Sequence, residues 1–172
     1  MENRPTFVVM SGLPGVGKSE ISKQLSKRLG ALYLRIDTIE QSLRNNGIRD
    51  VGPLGYEVAY RVAADNLKLG HNVIADCVNP IAITRDAWTQ VAREAAANIR
   101  NVHVICSDLV EHRRRVETRV SQIHGHVLPD WDEVLRKQAE FEAWKSDTIT
   151  IDTASRTVED CVEEAFQAVS SH

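Results

Sequence analysis

Aromatic residues are scarce in this 172-residue chain, where three Phe, three Trp and three Tyr make up 5%. That leaves little for a base-stacking platform of the kind that binds single-stranded nucleic acid. No charge of one sign dominates, with a formal net charge of -3 and a pI near 6.1, so nothing pulls the chain as a whole toward a polyanion. No apolar run approaches the ~18 residues of a membrane span, and the N-terminus lacks the charged-then-apolar build of a secretory signal. Cys77, Cys106 and Cys161 are odd in number, scattered and set among apolar neighbours, which reads as buried reduced thiols. Repeats, low-complexity tracts and linkers are missing as well. These absences predict a cytosolic protein, with nucleic acid and membrane both disfavoured as partners. At 42% hydrophobic, 172 residues suit a single domain over 1–172 with no room for a second.

What the chain does have is Gly12-Leu13-Pro14-Gly15-Val16-Gly17-Lys18-Ser19, which fills every fixed position of the phosphate-binding pattern G-x-x-x-x-G-K-[ST]. Gly12, Gly15 and Gly17 take backbone angles closed to other residues, so the loop's N–H groups can turn inward around a β-phosphate. Leu13, Pro14 and Val16 occupy the variable places of the same nucleotide-binding loop. A helix opening near Gly17 adds the positive end of its dipole. The Lys18 ammonium then suits the β- and γ-phosphates, and the Ser19 hydroxyl suits Mg²⁺. The context agrees, since Thr6-Phe7-Val8-Val9-Met10 is a β-prone run before the loop and Ile21, Leu25 and Leu29 follow at helical spacing.

Further along, 31–36 reads as a second strand with Asp37 at its C-terminal end, opening a short helix. A helix with Leu54, Val58, Val62 and Leu69 on one face closes at Gly70, and 72–76 is the third strand. The stretch 83–97 reads as a helix burying Trp88, Val91, Ala92 and Ala95, and 102–106 as the fourth strand. A helix from Leu109 buries Val116 and Val120 and carries an arginine run. Residues 121–129 break the pattern, a helix spans 134–144, and 148–151 is the last strand. Thr157-Val158-Glu159-Asp160 resembles a capping box before a final helix through Val162, Ala165 and Val169. Strands alternating with helices predict an α/β three-layer sandwich around a five-stranded parallel sheet, with ligands beyond the strands' C-terminal ends.

With these features the chain resembles the small P-loop kinases of the AAA-type, zeta-toxin-like branch, which includes polynucleotide 5′-kinase, chloramphenicol phosphotransferase and adenylylsulfate kinase. The resemblance rests on the phosphate loop, on Leu34-Arg35-Ile36-Asp37 and Val73-Ile74-Ala75-Asp76, on the arginine-bearing helix before a lid, and on Ile151-Asp152-Thr153. It implies the P-loop nucleoside triphosphate hydrolase fold with nucleoside-monophosphate-kinase-like strand order 2-3-1-4-5 and a short lid at about 120–130. It also implies ATP and Mg²⁺ as cofactors.

The same resemblance gives Asp37 the role of general base toward an acceptor hydroxyl, a role compatible with capping the helix that follows. Asp76 either holds a Mg²⁺-bound water or orients the acceptor, the alternative being a turn cap. Among Arg113, Arg114, Arg115 and Arg119, the family pattern favours Arg115 and Arg119 as clamps on phosphate charge, with Arg115 and Thr153 beside the nucleotide. The stretch from Asn79-Pro80 to Arg85 is similar to adenylylsulfate kinase's S-P-x-x-x-D-R segment, which puts Asn79 and Arg85 on the acceptor side. His112, His124 and His126 lack a zinc-like spacing. Trp131, Phe141 and Trp144 read as lid and core packing.

One departure bears on substrate. Where adenylylsulfate kinase and polynucleotide kinase carry an arginine three residues after the strand-two aspartate, this chain has Glu40. With Asp37 and Glu40 together, a neutral or amine-bearing acceptor is favoured over a phosphate- or sulfate-bearing one, although Arg35, Arg44 or Arg85 can restore positive charge. The expected activity is therefore transfer of the ATP γ-phosphoryl group to a small-molecule hydroxyl. Adenylylsulfate kinase, polynucleotide 5′-hydroxyl kinase and a non-catalytic nucleotide-dependent switch are the alternatives. No N-K-x-D guanine-reading motif is present, which favours ATP over GTP.

Overall fold

Strands that are apolar on both faces need a helical layer on each side, and the chain supplies both. The computed structural model describes residues 4–145 and 147–171; the ends of the expected 1–172 domain lie outside the described residues. Elements follow in the order β1 (Thr6–Ser11), α1 (Lys18–Leu29), β2 (Leu32–Arg35), α2 (Ile36–Asn45), α3 (Leu54–Lys68), β3 (Val73–Asp76), α4 (Ala82–Glu94), β4 (Asn98–Ile105), α5 (Leu109–Thr118), α6 (Trp131–Ala139), β5 (Ile149–Asp152) and α7 (Val158–Ser170). The sheet runs β2-β3-β1-β4-β5, every neighbouring pair parallel. This is the P-loop fold and strand order that the resemblance implied.

Alternation along β1 divides the core in two. Val8 and Met10 point into a layer with Ile21 and Leu25 of α1 and Val162 and Ala165 of α7. Phe7 and Val9 point the other way, to Ala59, Ala63 and Leu67 of α3 and Trp88 of α4. The few aromatics concentrate in the second layer, where Trp88 meets Phe7 edge-on at 5.6 Å and Tyr60 at 4.4 Å. All three cysteines are free and buried.

Several sequence expectations shift. The buried face of α3 is Gly55, Ala59, Ala63 and Leu67, whereas Leu54, Val58, Val62 and Leu69 are exposed. The smaller side chains let the helix approach its neighbours closely: a Cβ on Gly55 would stand 2.4 Å from Glu40 Cγ. Gly70 does lie past the end of α3, at φ +86. Helix α5 stops before Val120, which is exposed rather than buried. Strand β4 begins earlier than expected, because Asn98 to Asn101 pair with β1. Helix α6 ends at Ala139, and a complete capping box between Asp130 and Glu133 fixes its start. At α7 Thr157 caps Asp160 N, but the Asp160 carboxylate accepts from the Thr157 hydroxyl instead of its N–H.

Candidate nucleotide and acceptor cleft

The phosphate loop joins β1 to α1 beyond the C-terminal edge of the sheet and forms the floor of a cleft of about 610 Å³. Its glycines are required by contact as well as by backbone angle. Gly12 sits at φ +148, and a Cβ there would stand 2.4 Å from Val104 O. Gly15, at φ +88, would drive one to 2.4 Å from Val116 Cγ2 of α5. Gly17 at φ +92 is the N-cap of α1. The loop is braced from behind: the His112 Nε2–H donates to Pro14 O at 2.9 Å, and the Thr153 hydroxyl donates to Val16 O at 2.9 Å. Burial keeps His112 below the usual imidazole range, consistent with a neutral ring fixed as an Nε2–H donor.

Lys18 is buried and points along the cleft floor to Asp76, Nζ to Oδ1 2.7 Å. Tyr33 OH donates to the other oxygen, Oδ2, at 2.7 Å, and the Ser19 hydroxyl lies against the same carboxylate. Burial opposes charge on both partners, yet Asp76 is held below the usual carboxylate range by the Lys18 ammonium and its hydrogen bonds. Lys18 is likewise held above its ordinary value by Asp76, with Asp37 behind it. Tyr33 is pushed up by burial and by the Asp76 charge, so it stays a phenol and a donor.

Asp37 is not at the end of a strand. β2 stops at Arg35, the N-cap of α2, and Asp37 stands in the first turn of that helix. The cap role weighed for it falls to Arg35, whose side chain makes no capping bond. The Asp37 carboxylate lines the cleft, 39% exposed, with Arg35 Nη2 4.0 Å away. Arg115 reaches the cleft from α5 while donating to Thr153 Oγ1 at 2.8 Å, Thr153 O at 3.0 Å and Glu111 Oε1 at 2.5 Å. Arg119, just past α5, donates to Pro129 O at 3.0 Å and so holds the two ends of the irregular segment together. Between them Val120, Gly125 and Val127 line the cleft's outer wall.

The structure thus brings the loop, Asp37, Glu40, Arg44, Arg115 and Arg119 to one cleft, with Asp76 and Thr153 directly beneath. Asn79 and Arg85 are placed elsewhere. Asn79 is fully buried and bonded to Ser11 Oγ and Thr84 Oγ1. Arg85 donates to the carbonyls of Asn79, Pro80, Glu142 and Ala143, and its guanidinium lies 4.0 Å from the Trp144 ring centre. The acceptor role expected of this pair gives way to an internal tether, because their donors are already taken. Glu40 is not a free charge either, since Arg44 Nη2 is 3.2 Å from its Oε2.

Tyr33 and His112 build the site without belonging to any motif, and Arg35 stands closer to its centre than its sequence position suggests. Tyr33 stands two residues before Arg35 in β2, so the period of a strand puts both on the face next to Asp76; the signal was present. His112 gave none, because its bond is to a carbonyl 98 positions away.

Comparison with known proteins bears on the fold and the family. The chain is 28% identical over 132 residues to the ATP-dependent protease ATPase subunit HslU of Desulfovibrio desulfuricans, a stretch covering 77% of this chain but 27% of that protein. It therefore spans about a quarter of that relative's length. An adenylylsulfate (APS) kinase from Mycobacterium tuberculosis, solved with AMPPNP and APS, superposes with TM-score 0.72 at 18% identity, covering 98% of this chain and 99% of that one. A gluconokinase from Sinorhizobium meliloti superposes at 0.68 and 18%, covering 98% and 93%. At such identities the likeness is one of fold. Residues 7–144 match the AAA domain family; carrying its phosphate loop in this cleft, the chain belongs to that family.

Proposed function

We propose that this chain is an ATP-dependent kinase that phosphorylates a hydroxyl of a small molecule. The observation carrying the reading is Asp37, a half-exposed carboxylate in the same cleft as the phosphate loop and Lys18. A loop alone serves binding; a carboxylate facing it supplies the place where an acceptor hydroxyl loses its proton.

In this reading the loop's N–H groups and Lys18 hold the β- and γ-phosphates, Lys18 leaving Asp76 to do so. Arg115, fixed by Thr153 and Glu111, faces the phosphates from the α5 side, and Arg119 approaches from the lid. The acceptor oxygen bonds to the γ-phosphorus, the bond from that phosphorus to the bridging oxygen of ADP breaks, and the proton passes to Asp37. Mg²⁺, when bound, neutralises phosphate charge. Ser19 and Asp76 offer the hard oxygen ligands it takes, and no group of three His, Cys, Asp or Glu among the described residues forms a complete cage.

The test is ADP release, with Mg·ATP, across a panel of hydroxyl compounds. An acceptor should stimulate release, and Asp37→Asn should lower that rate roughly 10²-fold while leaving ATP affinity nearly unchanged. Undiminished phosphorylation by the variant would remove Asp37 as base. Nucleotide binding with no stimulation by any acceptor would favour the switch. The adenylylsulfate kinase alternative draws support from the AMPPNP- and APS-bound neighbour, and adenylylsulfate belongs in the panel for that reason.

A further inference from the structure

Cations on the two sides of the cleft differ in how fully they are partnered. On the floor Lys18 is bound to Asp76, and Arg115 has three hydrogen bonds. Arg35, at the end of β2, makes no side-chain hydrogen bond among the described residues. It pairs with carboxylates only at long range, Nε to Asp76 Oδ2 at 3.9 Å and Nη2 to Asp37 Oδ2 at 4.0 Å, and its buried Nε has no hydrogen-bond partner among the described residues. Arg119 spans the lid through one bond to Pro129 O, and its Nε is also unpartnered. Arg35, Asp37 and Arg119 line the same cleft, with Arg35 4.0 Å from Asp37; burial lowers the value of Arg119, and the charges of Asp37 and Arg35 act on it in opposite senses.

Guanidinium groups largely withdrawn from water and short of acceptors are costly unless a ligand completes them. Their planar fork of donors matches a carboxylate, phosphate or sulfate. The nucleotide's phosphates already have the loop, Lys18 and Arg115. Arg35 stands beside Asp37, where whatever brings the hydroxyl must lie. Glu40, whose charge suggested a neutral or cationic acceptor, is neutralised by Arg44 and packed against Gly55.

Resting on the kinase reading above, we propose that Arg35, with Arg119 closing over it, forms an anion-recognising subsite, and that the acceptor is a hydroxyl compound carrying a carboxylate, phosphate or sulfate group. Arg35 is then the residue that selects the acceptor, and the preference drawn from Glu40 is reversed.

Matched pairs test this on the full chain loaded with Mg²⁺ and a nonhydrolysable ATP analogue for calorimetry, and with Mg·ATP for turnover. The pairs are gluconate with glucitol, glycerol phosphate with glycerol, and adenylylsulfate with adenosine; the anionic member that responds identifies the group read. At least one anionic member should bind and be phosphorylated with kcat/KM at least about 10-fold above its neutral twin. Arg35→Gln should collapse that ratio, and Arg35→Lys, which keeps the charge without the fork, should restore part of it. Neutral twins doing equally well, or a ratio unmoved in Arg35→Gln, would overturn the subsite while the kinase reading stood. Anionic members that bind through Arg35 without being phosphorylated would support the subsite and sink the kinase reading. Failure of every pair member to bind overturns the subsite, as does an Arg35→Gln that weakens the ATP analogue as much as the acceptor.

Discussion

The floor and the outer wall of the cleft are built on opposite plans. Each part of the floor is held by a side chain from elsewhere in the chain: Pro14 by His112, Val16 by Thr153, and Lys18 by an aspartate that also takes Tyr33. The wall, residues 119–130, contains no helix or strand, is tied by the Arg119 to Pro129 bond and by Lys23 of α1 donating to the Gln122 side chain, and leaves Val120 85% and Val127 86% exposed. In the kinase reading the floor's backbone is already in place and only Lys18 has to turn from Asp76 toward phosphate, whereas a wall with uncovered valines gains contacts by folding inward. Under the proposed kinase function, the floor is the part that recognises the phosphates and the wall the part that encloses the reacting groups.

The strongest way to break this comparison is Lys18→Ala, which should reduce turnover at least 10³-fold, as expected when a charge stabilising the transferring phosphoryl is lost. Because the substitution strands Asp76 in a buried site, it should also destabilise the fold by about 3–5 kcal/mol. Adding Asp76→Asn should recover much of the melting temperature and none of the activity. Full stability of the single variant would show that the ion pair is not what holds the floor.

Gly15→Ala sharpens the claim that α5 braces the loop. The left-handed backbone costs a non-glycine residue roughly 1–2 kcal/mol, and the new Cβ meets Val116. Nucleotide affinity should fall at least about 10-fold, and shortening the clashing side chain with Val116→Ala should return part of it. Calorimetry with the ATP analogue reads both.

Smaller effects are expected at the wall. Val127→Ser should leave stability within about 0.5 kcal/mol while raising the KM for ATP a few-fold. Amides of 119–130 should exchange fast without ligand and slow down with the ATP analogue and Mg²⁺, while the floor changes little. Equal protection with and without ligand would make the wall a static loop and erase the contrast.

The floor was legible in the sequence because its chemistry is local: one loop of fixed spacing, flanked by a strand and a helix. The sheet was legible for a related reason, since apolar strands alternating with helical periods admit few topologies. The wall's arginines were found as a run, but which of the four face inward depends on where α5 stops, and Val120 was misread as part of that helix. The face of α3 was misassigned because larger side chains were preferred for burial, when close packing against Glu40 and the sheet required glycine and alanine. Arg85 reads as an acceptor residue through the resemblance of Asn79-Pro80 to Arg85 to the S-P-x-x-x-D-R segment, and a guanidinium in that place looks alike whether it meets a ligand or a carbonyl. Only tertiary placement of residues 142–143 decides between them.

That tether has a consequence for behaviour in acid. The four carbonyls that receive Arg85 do not titrate, and the guanidinium keeps its proton at every ordinary pH even though burial lowers its value. The Lys18 to Asp76 pair is different: Asp76's value is depressed on folding, so its contribution is complete above the ordinary carboxylate range and disappears as pH falls through the depressed value. Acidification should therefore loosen the cleft floor while the crosslink between residues 79–80 and 142–143 still holds. Loss of function at low pH would precede loss of the chain's long-range connections.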